Sequence, residues 1–319
     1  MSNYTFCQVS LQENISIIEK NYNNLKKFYK KIKIYIICPD HQIKKFKESL
    51  NLDDIEIINE DSVISFHEFK NIYLNLTSTL KYKNEFDQRL KWYYQQILKI
   101  CYAIKYINTN KKNIIIWDAD TIILKKIKFF DNGYSIKYGN FFEFHKQYFK
   151  TNKSILKIQP NYFISFLNQF ISITQNELEF FLKKIRAEKI SSNKIPSYIS
   201  YLILKNIFDT HVVYNGSMFS EYELLGQSSY LLNKKKQIPI ITLRFGLNGI
   251  LSDSQISLVR LLNFKHITYE HCHQNKNSIG MLSRNQTWPS LIKIIIKSLI
   301  KHYLRLIKHN LNYMINRYE

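Results

Sequence analysis

The run Asn113-Ile114-Ile115-Ile116-Trp117-Asp118-Ala119-Asp120-Thr121-Ile122-Ile123-Leu124 constrains the fold of this chain more than any other stretch. Three consecutive β-branched residues without polar alternation predict a strand covered on both faces, as in a parallel sheet. Such sheets collect ligands at the carboxyl ends of their strands, and there the run delivers Asp118 and Asp120. On an extended backbone the two carboxylates project to one side, because the side-chain period is two, and small Ala119 leaves room between them. Paired carboxylates repel each other unless a cation intervenes, and hard oxygen ligands suit Mg²⁺ or Mn²⁺. The plain alternative is a polar turn that caps the next segment. The apolar approach and the second apolar run, Ile122 to Leu124, favour the metal site.

Upstream, strands and helices alternate. Tyr4 to Val9 reads as a strand, Asn14 to Lys30 as a helix, Ile32 to Cys38 as a buried strand, Gln42 to Leu50 as a helix and Ile55 to Ile58 as a third strand. This is a β-α-β-α-β half-sheet of the kind that supports a nucleotide. It contains neither G-x-G-x-x-G nor G-x-x-x-x-G-K-[ST], so dinucleotide dehydrogenase and P-loop readings lose their main support. Residues 86–107 predict the best helix, with an apolar stripe of Leu90, Tyr93, Tyr94, Ile97, Leu98, Cys101 and Ile104. Gln95, Gln96 and Lys99 on that helix are within reach of the site, as are Arg89 and Lys91, with a structural or solvated role as the alternative. Further on, the pattern predicts a strand over Tyr134–Phe144, a β-rich run over Phe163–Ile173, a helix over Glu177–Arg186 capped by Thr174 or Asn176, a helix over Pro196–Phe208 and a late strand over Ile238–Phe245.

Three blocks, in order, carry a resemblance: Gln88-Arg89-Leu90-Lys91-Trp92-Tyr93-Tyr94-Gln95-Gln96-Ile97-Leu98-Lys99, then Trp117 to Leu124, then Phe219-Ser220-Glu221-Tyr222-Glu223-Leu224. With them the chain resembles a bacterial group of D-x-D glycosyltransferase-like proteins of the surface polysaccharide and lipopolysaccharide type. The resemblance implies an α/β, GT-A-like single domain whose mixed, mainly parallel central sheet is flanked by helices. It also implies a nucleotide-sugar donor, a metal held by the D-x-D and a glycan or lipid-linked acceptor. It does not name the sugar. On this reading residues 1–287 form the catalytic domain, with a nucleotide-sugar half (1–125) and an acceptor half (126–287), followed by a helix over 288–319.

In the transferase reading Asp118 and Asp120 bind Mn²⁺ or Mg²⁺, which bridges the donor diphosphate and neutralises the leaving group. Lys125, Lys126, Lys276 and Arg284 are candidates for further phosphate contacts. A metal with two carboxylates wants another ligand, and Glu270-His271-Cys272-His273 offers one, His271 ahead of His273. An inverting transfer needs a carboxylate base, for which Glu221 is the first candidate and Glu223 the second.

The 46 Lys and Arg against 25 Asp and Glu leave a formal charge of +21, a field that attracts phosphorylated ligands, nucleic acid or anionic lipid. A metal-dependent nuclease is therefore the first rival reading, although no nucleic-acid fold motif occurs. A non-catalytic membrane-associated scaffold is the second. Seven Gly and 5 Pro argue against a linker-rich or many-turned all-β chain. The four dispersed cysteines, Cys7, Cys38, Cys101 and Cys272, fit a reducing cytoplasm. The amino terminus lacks the pattern of a signal peptide, and no stretch reaches the roughly 18 apolar residues of a membrane span. The segment from Trp288 to Glu319 predicts a basic amphipathic helix, with Ile292, Ile295, Leu299, Tyr303, Leu306 and Ile307 on one face and Lys293, Lys297, Lys301, Arg305 and Lys308 on the rest. It suits the surface of an anionic bilayer, which places the protein on the inner face of the cytoplasmic membrane.

Overall fold

The computed structural model describes residues 4–50, 52–78, 84–139, 145–157, 165–211, 216–233, 237–244, 247, 249–269 and 285–315. The chain runs β1 (Tyr4–Val9), α1 (Ile15–Phe28), β2 (Ile32–Cys38), α2 (Ile43–Ser49), β3 (Ile55–Asn59), α3 (Phe66–Thr77), α4 (Asn84–Asn110), β4 (Ile114–Trp117) and β5 (Thr121–Ile123). It continues through short β6 (Phe130–Asp131), β7 (Tyr134–Ser135) and β8 (Tyr138–Gly139) to α5 (Lys146–Leu156), β9 (Phe170–Ile173), α6 (Gln175–Lys184), α7 (Ile195–Thr210) and α8 (Glu221–Asn233). The last elements are β10 (Ile238–Pro239), β11 (Thr242–Leu243), α9 (Asp253–Leu261), β12 (His266–Thr268) and α10 (Trp288–Ile315).

Among the described residues the central sheet has the order β3-β2-β1-β4-β9. The first four strands are parallel, and β9 runs antiparallel to β4. The result is a mixed, mainly parallel sheet flanked by helices, as the sequence pattern predicts. A strand from the second half of the chain thus completes the first half's sheet. Ile114 and Ile116 enter one core with α4 and α7, whereas Ile115 and Trp117 enter the core on the opposite face with α1 and α2. Burial on both faces is why the strand reads as an unbroken apolar run.

The turn after Trp117 splits the original apolar run between two sheets. β5 leaves the central sheet and pairs with β12, which pairs with β11. The Trp117 indole donates to the Thr121 carbonyl (2.9 Å), and the Thr121 amide donates to the Asp118 carbonyl (3.1 Å). Asp118 to Asp120 therefore form a tight turn rather than an extended end. The wholly buried Trp117 ring lies among Phe6, Phe129, Phe170 and His266, forming an aromatic floor beneath the turn.

Several elements differ from the sequence expectation. Tyr134–Phe144 is not one strand; β7 and β8 are two-residue pieces there, and residues 140–144 lie outside the described residues. Ile238–Phe245 divides into β10, which pairs with β8, and β11, which pairs with β12; Phe245 lies outside the described residues. Thr174 caps α6 through a reciprocal box with Glu177. In α10 the expected apolar face is divided: Ile295 is buried, together with Leu291 and Ile294 outside that face, while Ile292, Tyr303 and Ile307 are exposed.

Gly226 fixes the packing of α8. A Cβ built on it would lie 2.2 Å from Phe166 Cγ and 2.6 Å from Phe166 Cβ, too close to the backbone for the ring to swing clear. Gly226→Ala is expected to destabilise the protein by about 1–3 kcal/mol in denaturant melts, even though alanine is the better helix former by about 1 kcal/mol. An unchanged midpoint would show that α8 and Phe166 are not held in this contact.

Candidate active site

The carboxyl ends of β1, β2, β3 and β4 open into one cavity of about 950 Å³, within the usual range for small-molecule sites. Ser10 follows β1, Asp40 follows β2, Glu60 and Asp61 follow β3, and Asp118 and Asp120 follow β4; all line it. The chain builds outward from β1 to β2 and β3, then returns to the other side of β1 with β4. The D-x-D thus sits at the point where strand order reverses, where open α/β sheets bind ligands.

Lys99, in the middle of α4, organises the floor of this cavity. Its ammonium donates to Asp118 Oδ1 and to Glu221 Oε1, the latter at 2.7 Å. The Tyr222 hydroxyl donates to the same Asp118 oxygen at 2.6 Å. The Lys99 and Glu221 side chains are 4% and 3% exposed, against 20% for Asp118. Burial opposes the charge on Lys99, but the two adjacent carboxylates outweigh it and raise its pKa above the ordinary lysine value. For Glu221 burial dominates: it raises the carboxyl pKa, while Lys99 pulls it down. Gln96, one turn before Lys99, accepts from the Glu221 amide (3.2 Å), and its Nε2 has no partner among the described residues. Glu221 and Glu223 lie in the first turn of α8, where acidic side chains suit the helix dipole.

The charge of this cavity runs against that of the chain. Among the described residues six carboxylates line it, those of Asp40, Glu60, Asp61, Asp118, Asp120 and Glu221, against three cations, Lys91, Lys99 and Arg244. At Glu60 burial first and then neighbouring Asp61 push the carboxyl pKa up to about 7, against the pull of Lys91. An anionic ligand entering here needs a counter-cation. The donor set fits a hard divalent ion: both hydrogen bonds to Asp118 converge on Oδ1, leaving Oδ2 for coordination, and Asp120 lines the same cavity. No group of three potential metal-ligating side chains occurs among the described residues.

Asp118, Asp120 and Glu221 come together in the cavity, and Gln95, Gln96, Lys91 and Lys99 line it too. Lys125 does not: it bonds to Asn263 (3.1 Å) beyond the far end of β5. Five extended residues carry it roughly 16 Å from Asp120, so its position argues against a phosphate contact, and exposed Lys126 follows it. Glu223 is fully buried and accepts from Ser165 (2.7 Å), the Phe166 amide (3.0 Å) and Gln227 (3.0 Å), which ties α8 to the segment before β9. Arg89 donates to Ser217 at 2.8 Å. His271, His273, Lys276 and Arg284 lie outside the described residues. The preceding chain ends at the site: Thr268 lines the cavity, and the Tyr269 amide donates to the Asp120 carbonyl (2.9 Å). Arg244 and Tyr222 are site residues that the sequence reading missed. Tyr222 was available from its place between two candidate glutamates, whereas Arg244 depends on the turn after β11.

The sequence model of a family of unknown function (DUF6492) matches residues 9–239. The chain belongs to this family. No curated protein matches this DUF6492 chain. Among solved structures it is similar to mouse xyloside xylosyltransferase 1 in its apo form, at 10% identity and a TM-score of 0.41, covering 86% of this chain and 99% of that one. It is also similar to the apo form of the glycosyltransferase GlyE of Streptococcus pneumoniae TIGR4, at 9% identity and a TM-score of 0.34, covering 96% of this chain and 63% of that one.

Removing Lys99 from the DUF6492 site leaves Asp118 and Glu221 facing each other without a cation. Lys99→Met is expected to cost about 3–5 kcal/mol near neutral pH. Without the lysine's opposing pull, burial holds the Glu221 pKa further above its unfolded value, so the folded form takes up a proton that the unfolded form does not. Its relative stability is retained at low pH and lost as pH rises. Thermal melts from pH 5 to pH 8 should show a gap between wild type and variant that widens with pH. A constant gap would mean that Lys99 contributes packing alone.

Proposed function

We propose that this chain is a metal-dependent glycosyltransferase that uses a nucleotide-sugar donor and transfers to a glycan or lipid-linked acceptor in bacterial surface polysaccharide assembly. The observation that carries this reading is the meeting of the three sequence blocks at one ammonium. Lys99 of the first, Asp118 of the second and Glu221 and Tyr222 of the third are joined directly. The meeting point lies at the switch point of a parallel sheet, in a cavity large enough for a nucleotide sugar.

Asp118 through its Oδ2, Asp120 and, beyond the described chain, His271 would hold Mn²⁺ or Mg²⁺. When bound, the ion supplies the charge neutralisation that a departing nucleoside diphosphate needs in an acidic cavity. Lys99 fixes the Asp118 carboxylate in one orientation before any ligand arrives, so no reorganisation is spent on it during transfer. Arg244 and Lys91 meet the remaining phosphate charge, with Arg284 and Lys276 as further donors. Glu221 takes the proton from the attacking acceptor hydroxyl, a role served by a carboxyl whose burial raises its basicity. Glu223 holds α8 in place for that purpose. The nuclease reading has less support, because a polyanion would meet six carboxylates at the cavity.

Two measurements test the proposal. Nucleoside diphosphates with Mn²⁺ should raise the melting temperature, by the equivalent of about 2.7 kcal/mol for a ligand at 100 times its Kd. Asp120→Asn should abolish that shift; it is a cleaner variant than Asp118→Asn, which also strips Lys99 of a counter-charge. A metal-independent shift, or salt-sensitive DNA binding without any nucleotide shift, would overturn the reading. Glu221→Gln should lower the transfer rate by about 10²–10⁴-fold while nucleotide binding persists, and an unchanged rate would remove Glu221 as the base.

A further inference from the structure

The start of α10 is anchored. Leu291, Ile294 and Ile295 join the core of Leu243, Val259, Phe264 and Ile267, and His302 is buried further along. A different arc of the same helix faces outward. Ile292, Ile296, Ile300, Tyr303, Leu304 and Ile307 are between 46% and 62% exposed. At 3.6 residues per turn they form one stripe, about 120° wide and about 22 Å long. Isolated apolar residues are ordinary on a surface, but a continuous stripe of this size marks a contact.

The border of the stripe indicates what that contact is. Lys293, Lys297, Lys301 and Arg305 recur every fourth residue along one side of it, all exposed. No acidic residue occurs from Trp288 to Tyr318. A second copy seated on the stripe would bring another basic row against this one, on a chain already at +21. An anionic bilayer offers the complementary pair of environments, acyl chains for the stripe and phosphates for the row. No helix among the described residues is long and apolar enough to cross a membrane. We propose that α10 docks this chain in the plane of an anionic membrane surface, with Ile292, Ile296, Ile300 and Leu304 entering the boundary between headgroups and acyl chains.

The test uses the full-length protein with phosphatidylcholine vesicles, with and without phosphatidylglycerol, in a sedimentation assay. The protein should pellet with the anionic vesicles only, and added salt should release it. Replacing Lys293, Lys297, Lys301 and Arg305 by Gln should weaken partitioning about fivefold per charge, the equivalent of about 1 kcal/mol each. Combining Ile296→Ser, Ile300→Ser and Leu304→Ser should abolish binding while every charge remains, and circular dichroism should show the fold retained, since these side chains are exposed. Undiminished binding by the serine variant would overturn the proposal. So would absence of vesicle binding by the wild type, or conversion of a dimer to a monomer by the serine substitutions, which would assign the stripe to a second copy. None of these outcomes bears on nucleotide binding.

Discussion

A single ammonium buried among two carboxylates and a phenol holds the candidate site together. Lys99 has almost no contact with solvent, so its charge is tolerable only because Asp118 and Glu221 compensate it at hydrogen-bond distance. An arrangement of this kind is a poor way to gain stability, since apolar residues of similar volume stabilise a core at least as well. Its product is geometry: Asp118 at the end of β4 and Glu221 at the start of α8 are fixed to the same helix. The remainder of the site is arranged around that constraint, including the tight turn that brings Asp120 to the cavity and the Tyr222 hydroxyl that completes the hydrogen bonding of Asp118.

The parts of this structure that are legible in the sequence share a cause, which is burial on both faces. β4 reads correctly because a two-sided core demands an unbroken apolar run, β1 and β2 because most of their residues are buried and apolar, and α4 because its stripe is long. Lys99 was also legible: from Ile97 to Ile104 it is the one charged residue in an otherwise apolar stretch, and such a lysine requires a buried partner. Two missed helices carried local signals. Ser65 accepts from the Glu68 amide at the start of α3, and Ser252 forms a reciprocal box with Gln255 at the start of α9. The divisions at β7–β8 and β10–β11 were not legible, because strands of two residues owe their existence to tertiary pairing and leave no periodicity. Nor was the course of β5, which carries Lys125, a candidate phosphate contact, away to Asn263.

Charge is segregated within this molecule. A chain with a large basic excess places carboxylates at the ends of three strands and lines one arc of its last helix with cations. The two regions therefore attract opposite partners, and the net charge of the sequence describes neither. A reading based on the total alone points toward nucleic acid; a reading based on placement points toward a cation-requiring pocket and a separate anionic surface.

The Lys99 junction also has a consequence for how the protein is made. Its two carboxylates, Asp118 and Glu221, are 19 and 122 residues distant from the lysine in sequence. A nascent chain that has produced β1 to β4 still holds Lys99 with only one of its two carboxylate partners, and the ammonium remains costly to bury until α8 arrives. Closure of so long a loop is slow relative to local helix formation. The pocket is therefore assembled late, and a prematurely terminated chain that retains the D-x-D does not present a finished binding site.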